Sequence, residues 1–242
     1  MTTVQEHYDR HLGPVYTWMA GGIESALARG AAELDAIGVP PRGKGVAVDL
    51  GAGFGMHAME LARRGYRVIA VDTCEALLDE LRVNAAGLPV DIVHDDLLAF
   101  ARHLPGKADL VLCMGDTLTH LPDEASVATL VGAAAEALAP AARFVASFRD
   151  YSAALSGVRR FIPVRSDEQR ILTCFLEYSE GHVTVHDILH ERDGSQWELS
   201  VSSYEKLRLA PDRLATFFEE HGFVVASESG MSGMVRLIAT RS

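Results

Sequence analysis

Between Val46 and Asp72 the chain lays out the parts of a nucleoside cradle. The apolar run Val46-Ala47-Val48-Asp49-Leu50 leads into Gly51-Ala52-Gly53-Phe54-Gly55, then a helical pattern, then a second apolar run ending at Asp72 and Thr73. Glycines at the crossing from strand to helix let backbone approach a ligand. A carboxylate at the carboxyl end of the next strand can accept hydrogen bonds from both ribose hydroxyls. A dinucleotide fingerprint, G-x-G-x-x-G, needs glycine at 56, and Met56 stands there. The bland readings are a tight turn with incidental glycines, and Asp72 serving as an N-cap for the helix that starts near Glu75.

Two later segments carry groups suited to chemistry. Ile92-Val93-His94-Asp95-Asp96-Leu97 ends a third short apolar run, where helix capping competes with ligand binding for either aspartate. Leu110-Val111-Leu112-Cys113 runs into Met114-Gly115-Asp116-Thr117-Leu118-Thr119-His120-Leu121, and Phe148-Arg149-Asp150-Tyr151 closes a fifth run. Ligands on open α/β sheets bind outside the carboxyl ends of the strands, so these loops would face a bound molecule.

The D-x-G-x-G-x-G pattern from Asp49 to Gly55 resembles motif I of the class I S-adenosylmethionine-dependent methyltransferases. The resemblance implies S-adenosylmethionine as cofactor, held by Asp49, Gly51, Gly53, Gly55, Asp72, Thr73, Asp96, Leu97, Met114 and Gly115, with Tyr16 shielding the sulfonium from a lid over residues 1–42. Within that group, the 114–121 and 148–151 runs are similar to the glycine and sarcosine N-methyltransferases and their small-molecule relatives. This narrower likeness puts Asp116 and His120 beside a small-molecule acceptor, with Arg149 as a carboxylate clamp and Tyr151 as a helper. His120 becomes the candidate base. Asp116 stands where those enzymes carry asparagine, and Phe148 where they carry histidine. As alternatives, His120 could cap its own loop and Arg149 could pair with Asp116 or Asp150. Arg159, Phe161 and Arg165 are acceptor contacts by position alone.

Elements must exist to place these groups. Apolar runs at Val46–Leu50, Arg67–Val71, Asp91–His94, Asp109–Met114 and Arg143–Phe148 alternate with helical patterns at Gly55–Arg64, Glu75–Asn84, Leu97–His103 and Glu124–Leu138. Such alternation predicts a Rossmann-like, doubly wound, mostly parallel seven-stranded sheet with helices on both faces. Residues 1 to 39 read as helical, with a break at Pro40-Pro41-Arg42-Gly43. Between Arg160 and Leu209, Ile171–Tyr178, Val183–His190 and Gln196–Tyr204 are separated by turn signals including Asp193-Gly194, which predicts an inserted antiparallel β unit over 152–209. Pro211–His221 reads as a helix, followed by closing strands at Phe223–Glu228 and Met234–Thr240. The cofactor-binding domain is then expected over 43–151 and 210–242.

With 242 residues and 48% hydrophobic content, one α/β domain with an insertion can bury a sizeable core. The net charge of −11 disfavours a nucleic-acid partner. Cys74, Cys113 and Cys174 form no C-x-x-C pair, and the polar start around Gln5-Glu6-His7 lacks the apolar stretch of a signal peptide. A cytoplasmic protein without a membrane span is expected, and a homodimer is allowed. No metal site is expected: His182, His186 and His190 span roughly 26 Å of strand, too far for one ion. His57 is expected to pack beneath the glycine turn. The competing functions are an NAD-dependent oxidoreductase, disfavoured by Met56, and a non-catalytic cofactor-binding module.

Overall fold

In a computed structural model of the chain, residues 2–41 and 43–242 are described; Met1 and Arg42, the latter part of the proline-rich break, lie outside them. The chain opens with α1 (Val4–His7), a wide π-helical turn over Tyr8–Leu12, α2 (Gly13–Met19) and α3 (Ile23–Ala36). Then follow β1 (Val46–Leu50), α4 (Met56–Arg63), β2 (Arg67–Asp72), α5 (Glu75–Asn84), β3 (Val90–His94), a 3-10 helix over Leu97–His103 and β4 (Ala108–Cys113). A 3-10 turn at Thr117–His120, α6 (Glu124–Ala137) and β5 (Leu138–Phe148) complete the first half. Strands β6 (Phe161–Ser166), β7 (Arg170–Tyr178), β8 (His182–Asp193) and β9 (Gln196–Leu207) precede α7 (Pro211–Glu220), β10 (Phe223–Ser229) and β11 (Val235–Arg241).

The seven-stranded sheet has the order β10-β11-β5-β4-β1-β2-β3. Strands β1 to β5 pair in parallel, while β11 runs antiparallel to both β5 and β10. An all-parallel dinucleotide fold has no such reversed strand between its last two positions. Alternating residues feed two cores. Val48, Leu50, Ile69, Val71 and Phe144 pack toward α6 and α7 with Phe148 and Phe218. Ala47, Val68, Ala70 and Leu112 pack toward α3, α4 and α5 through Leu34, Met59, Leu78 and Leu81. Burial on both faces explains why these strands read as continuous apolar runs rather than alternating ones.

Strand β5 starts earlier than its apolar run predicts. It takes in Leu138-Ala139-Pro140-Ala141-Ala142, and its register against β4 shifts between Ala108 and Leu110. The inserted sheet, order β6-β7-β8-β9, is antiparallel throughout. Its inner face carries Leu172, Leu189, Val183 and Val185, packed against Leu12 and Val15 of the N-terminal helices and against Tyr151. Register places Cys174, Asp187 and Ser202 in one inward row and Tyr204 and Lys206 further along the same face. Leu199, Val201 and Trp197 remain exposed on the outer face. Among the described residues, no helix is long and apolar enough to cross a membrane.

Candidate active site

A cavity of about 370 Å³ opens at the carboxyl ends of β1, β2 and β4, within the usual size range for small-molecule sites. Gly51 and Gly53 of the glycine turn, Asp72 with Thr73, Asp96 with Leu97, and Gly115, Thr117 and His120 form its floor and sides, while Thr3, Val4, Gln5, Tyr8 and Tyr16 roof it from the N-terminal segment. Of the residues singled out in the sequence, Tyr16, Gly51, Gly53, Asp72, Thr73, Asp96, Leu97, Gly115 and His120 line this one space. Asp49, Gly55, Met114, Asp116, Arg149 and Tyr151 do not.

Asp72 organises the cradle. Its Oδ2 accepts the Gly53 N–H at 2.7 Å and its Oδ1 accepts the Cys74 N–H at 2.8 Å. Residue Cys74 is the N-cap position of α5, so Asp72 fastens the loop and the helix entry together rather than capping in the ordinary way. Each oxygen keeps a lone pair for a ligand. Burial raises its pKa. Asp49, only 2% exposed, sits behind the turn, and its Oδ2 meets no partner among the described residues. Burial pushes it up to about 6. Asp96 caps the 3-10 helix through Oδ1, which accepts the Leu98 N–H at 2.7 Å, and still lines the cavity. Asp95 lines it too but is engaged by His103 at 2.6 Å and by Arg102.

The 114–121 loop departs most from the sequence expectation. Gly115 reaches the cavity, with its N–H bonded to Ser147 Oγ at 2.9 Å, while Met114 is buried in the core beneath. Asp116 does not line the cavity. It is 3% exposed and takes four donors: Arg149 N–H (2.9 Å) and Thr119 Oγ1 (3.1 Å) at Oδ1, Tyr151 OH (2.8 Å) and Lys206 Nζ (2.5 Å) at Oδ2. Burial alone would raise its pKa, but the Lys206 charge and the donors outweigh it and hold the carboxyl down. Tyr151 is thereby committed to Asp116. The Arg149 side chain points to the Ser232 carbonyl at 3.4 Å and stays out of the cavity, so the expected carboxylate clamp is not formed. Among the described residues no lysine or arginine lines this space.

His120 stands at the inner end in a cluster of rings. Tyr8 lies 5.5 Å away and Tyr204 5.6 Å away between centroids, with Tyr16 5.8 Å from Tyr8. Neither imidazole nitrogen has a hydrogen-bond partner among the described residues, and Nε2 is fully enclosed. Burial, then the Lys206 charge, push its pKa down to about 3, so the ring is neutral at neutral pH. Burial holds the Tyr16 phenol up at about 12 and raises those of Tyr8 and Tyr204 well above the ordinary phenol value.

Sequence reasoning missed Tyr204, Lys206 and the anchor of the N-terminal segment. His7, 0% exposed, places Nε2 2.9 Å from Asp187 Oδ2 and Nδ1 2.9 Å from Ser202 Oγ, and the Cys174 thiol meets Asp187 Oδ1 at 2.8 Å. His11 bonds the Asp187 carbonyl. His57 packs under the glycine turn against Glu33 at 2.6 Å. His182 and His186 bond Pro122 O and Glu177. Arg165 lies over the Trp18 ring and Phe161 against Phe175, both away from the cavity. Lys206 lay on a strand whose alternation, Ser202-Tyr204-Lys206 against Val201-Ser203-Glu205, does not say which face is inner.

The turn, the acid on β2 and the sheet with its reversed strand together define a nucleoside-binding α/β site of the methyltransferase type. Residues 47–141 match the family model described as a methyltransferase domain. Over 82 residues the chain is 39% identical to a ubiquinone biosynthesis O-methyltransferase of Azotobacter vinelandii, a match covering 33% of this chain and 35% of that enzyme. The chain thus spans about a third of the length of such relatives. Among solved structures, DesVI of Streptomyces venezuelae superposes with a TM-score of 0.79 at 17% identity, covering 95% of this chain and 98% of that one. S-adenosylmethionine-bound CalS10 of Micromonospora echinaspora, an amino pentose methyltransferase, gives 0.73 at 18% identity, covering 90% and 91%. The chain has the fold of these methyltransferases.

Proposed function

We propose that the chain is an S-adenosylmethionine-dependent methyltransferase that alkylates nitrogen or oxygen of a small-molecule acceptor. The observation that carries this reading is one cavity joining the glycine turn and Asp72 at one end to Gly115 and His120 at the other. The residues fit the cofactor. Asp72 keeps acceptor capacity for ribose hydroxyls and Asp96 keeps its second oxygen, both on the cavity wall. A Cβ built on Gly115 would meet no protein atom within 4 Å.

Bound S-adenosylmethionine would supply an electrophilic methyl group on sulfur. The protein's part is orientation and proton removal. Holding acceptor and methyl carbon in line can supply roughly 7–11 kcal/mol of the barrier. The N-terminal roof of Val4, Tyr8 and Tyr16 excludes water from the chamber. His120, neutral and unpartnered, is placed to take the proton that an amine or hydroxyl acceptor must lose. With no lysine or arginine among the described residues of the lining, the acceptor's reacting end is held by ring faces, phenols and the imidazole rather than by a carboxylate clamp. The names of the relatives favour both atoms: the Azotobacter enzyme is an O-methyltransferase, and CalS10 acts on an amino pentose.

The test is a screen of small amines, phenols and sugars for S-adenosylhomocysteine release, beside calorimetry with S-adenosylhomocysteine and NAD. Uptake of the former with methylation of a small molecule is expected. Binding of NAD instead, or activity confined to proteins or nucleic acids, refutes the reading.

A further inference from the structure

The carboxylate of Asp116 lies deep in the molecule on a residue with φ of 74°, a left-handed backbone that a non-glycine residue keeps only when its surroundings enforce it. Its backbone N–H donates to Ser147 O at 2.9 Å, and its side chain collects one donor from the end of β5, one from its own loop, one from Tyr151 and one from β9. Only the last of these carries a full charge. Lys206 is 7% exposed, projects from the inner face of the inserted sheet, and makes its one hydrogen bond among the described residues to Asp116. Neither charge is tolerable in that interior alone, and together they form a neutral unit.

We propose that Lys206 is a positioning residue for methyl transfer: its ammonium neutralises Asp116 and ties the loop bearing His120 to the sheet that bears Tyr204. This assignment rests on the methyltransferase reading of the cavity. The groups that face His120 are Asp116 from its own loop, Lys206 and Tyr204 from β9, His7 from α1 and Tyr8 from the π-helical turn. In that set Asp116 is the one carboxylate whose field favours a protonated ring, and Lys206 is what cancels it. Take the lysine away, and an uncompensated carboxylate draws a proton onto His120. A protonated imidazole cannot accept the acceptor's proton, and it sets a second cation near the methyl donor. Lys206 touches neither the cavity nor its contents, so it acts only through its partners.

The experiment follows the His120 ring by NMR in histidine-labelled protein from pH 4 upward, with His120→Gln for assignment. In the native sequence the ring should stay neutral across most of this range. In Lys206→Met its titration should move up by about one to three pH units, the usual effect of an unscreened opposite charge at close range. The acid limb of kcat/KM should move with it. Adding Asp116→Asn should return both to the native position, and Lys206→Arg should hold them near it. An unmoved His120 titration in folded Lys206→Met, or a double variant that does not revert, overturns the proposal. Should Lys206→Met alone not fold, recovery of folded protein on adding Asp116→Asn supports the same coupling, and failure to recover overturns it. Native protein that binds no S-adenosylhomocysteine would overturn the methyltransferase reading by itself, with the ring titration still deciding the role of Lys206.

Discussion

Alanine at Gly53 or Gly115 separates the cradle's stability from its use. Both glycines line the cavity and both have positive φ, 52° and 71°. A Cβ at Gly53 would meet only Leu77 Cδ1 at 3.8 Å, an ordinary contact, and one at Gly115 would meet nothing within 4 Å. The fold therefore bears only the left-handed penalty of about 1–2 kcal/mol, a Tm fall of roughly 2–8 °C for a chain of this size. The added methyl group projects where the structure leaves room, and if that room belongs to a nucleoside and its amino-acid tail, affinity must suffer. At least a tenfold loss of S-adenosylhomocysteine binding, about 1.4 kcal/mol, is expected for each variant by calorimetry. Gly55→Ala is the control for the opposite case: its Cβ would fall 2.1 Å from Leu81 Cδ1, so the fold itself should suffer, with a larger drop in Tm than either cavity variant. If Gly53→Ala and Gly115→Ala melt as expected but bind S-adenosylhomocysteine like the native protein, the nucleoside does not lie over this backbone and the cradle reading fails.

Other consequences are open to measurement. Asp49 has its pKa raised from 3.8 to about 6, so the folded state holds that proton more tightly than the unfolded state does. Its penalty is absent below the unfolded value and grows as pH rises through about 6, up to about 3 kcal/mol. Asp49→Asn should accordingly raise Tm at pH 8 and leave it little changed near pH 4; equal effects at both pH values would contradict the burial account. Asp187→Ala strips His7 Nε2 and the Cys174 thiol of their partner and should cost about 2–4 kcal/mol in urea melts. It should also raise hydrogen exchange over Thr3–Tyr8; unchanged exchange there would show that the pair does not hold the roof. His120→Ala should lower kcat by about a hundredfold or more, as for loss of a general base, whereas Arg149→Ala, whose side chain lies outside the cavity, should leave acceptor KM nearly unchanged. A large KM effect at Arg149 would restore the clamp.

What could be seen in the sequence, and what could not, follows from distance along the chain. The cofactor half is local: strand, turn, helix and strand fall within one βαβ unit, and glycines at period two are costly enough to signal a purpose. That Gly51, Gly53, Asp72, Asp96 and Gly115 meet around one cavity was therefore legible, and so was the sheet, because strands buried on both faces read as apolar runs. Strand β5 was read short because Pro140 and the shift of register lie inside it. The acceptor half is non-local. Asp116 invited a role beside the acceptor because it stands where the resembled N-methyltransferases carry asparagine, yet its carboxylate is engaged by Lys206 on a strand of another sheet, a pairing that no spacing encodes. An aspartate replacing the asparagine of the resembled enzymes looks like an added negative charge when read alone. Read with Lys206 it is half of a neutral pair, and the ring of His120 stays uncharged beside it. His7 and Asp187 follow the same logic at the roof: two polar residues unremarkable in their own segments meet between α1 and the inner face of the inserted sheet. The surroundings of His120 are thus written in contacts between the N-terminal helices, the fourth-strand loop and the inserted sheet, and under the proposed function altering the insert should retune acceptor choice while leaving S-adenosylhomocysteine binding intact.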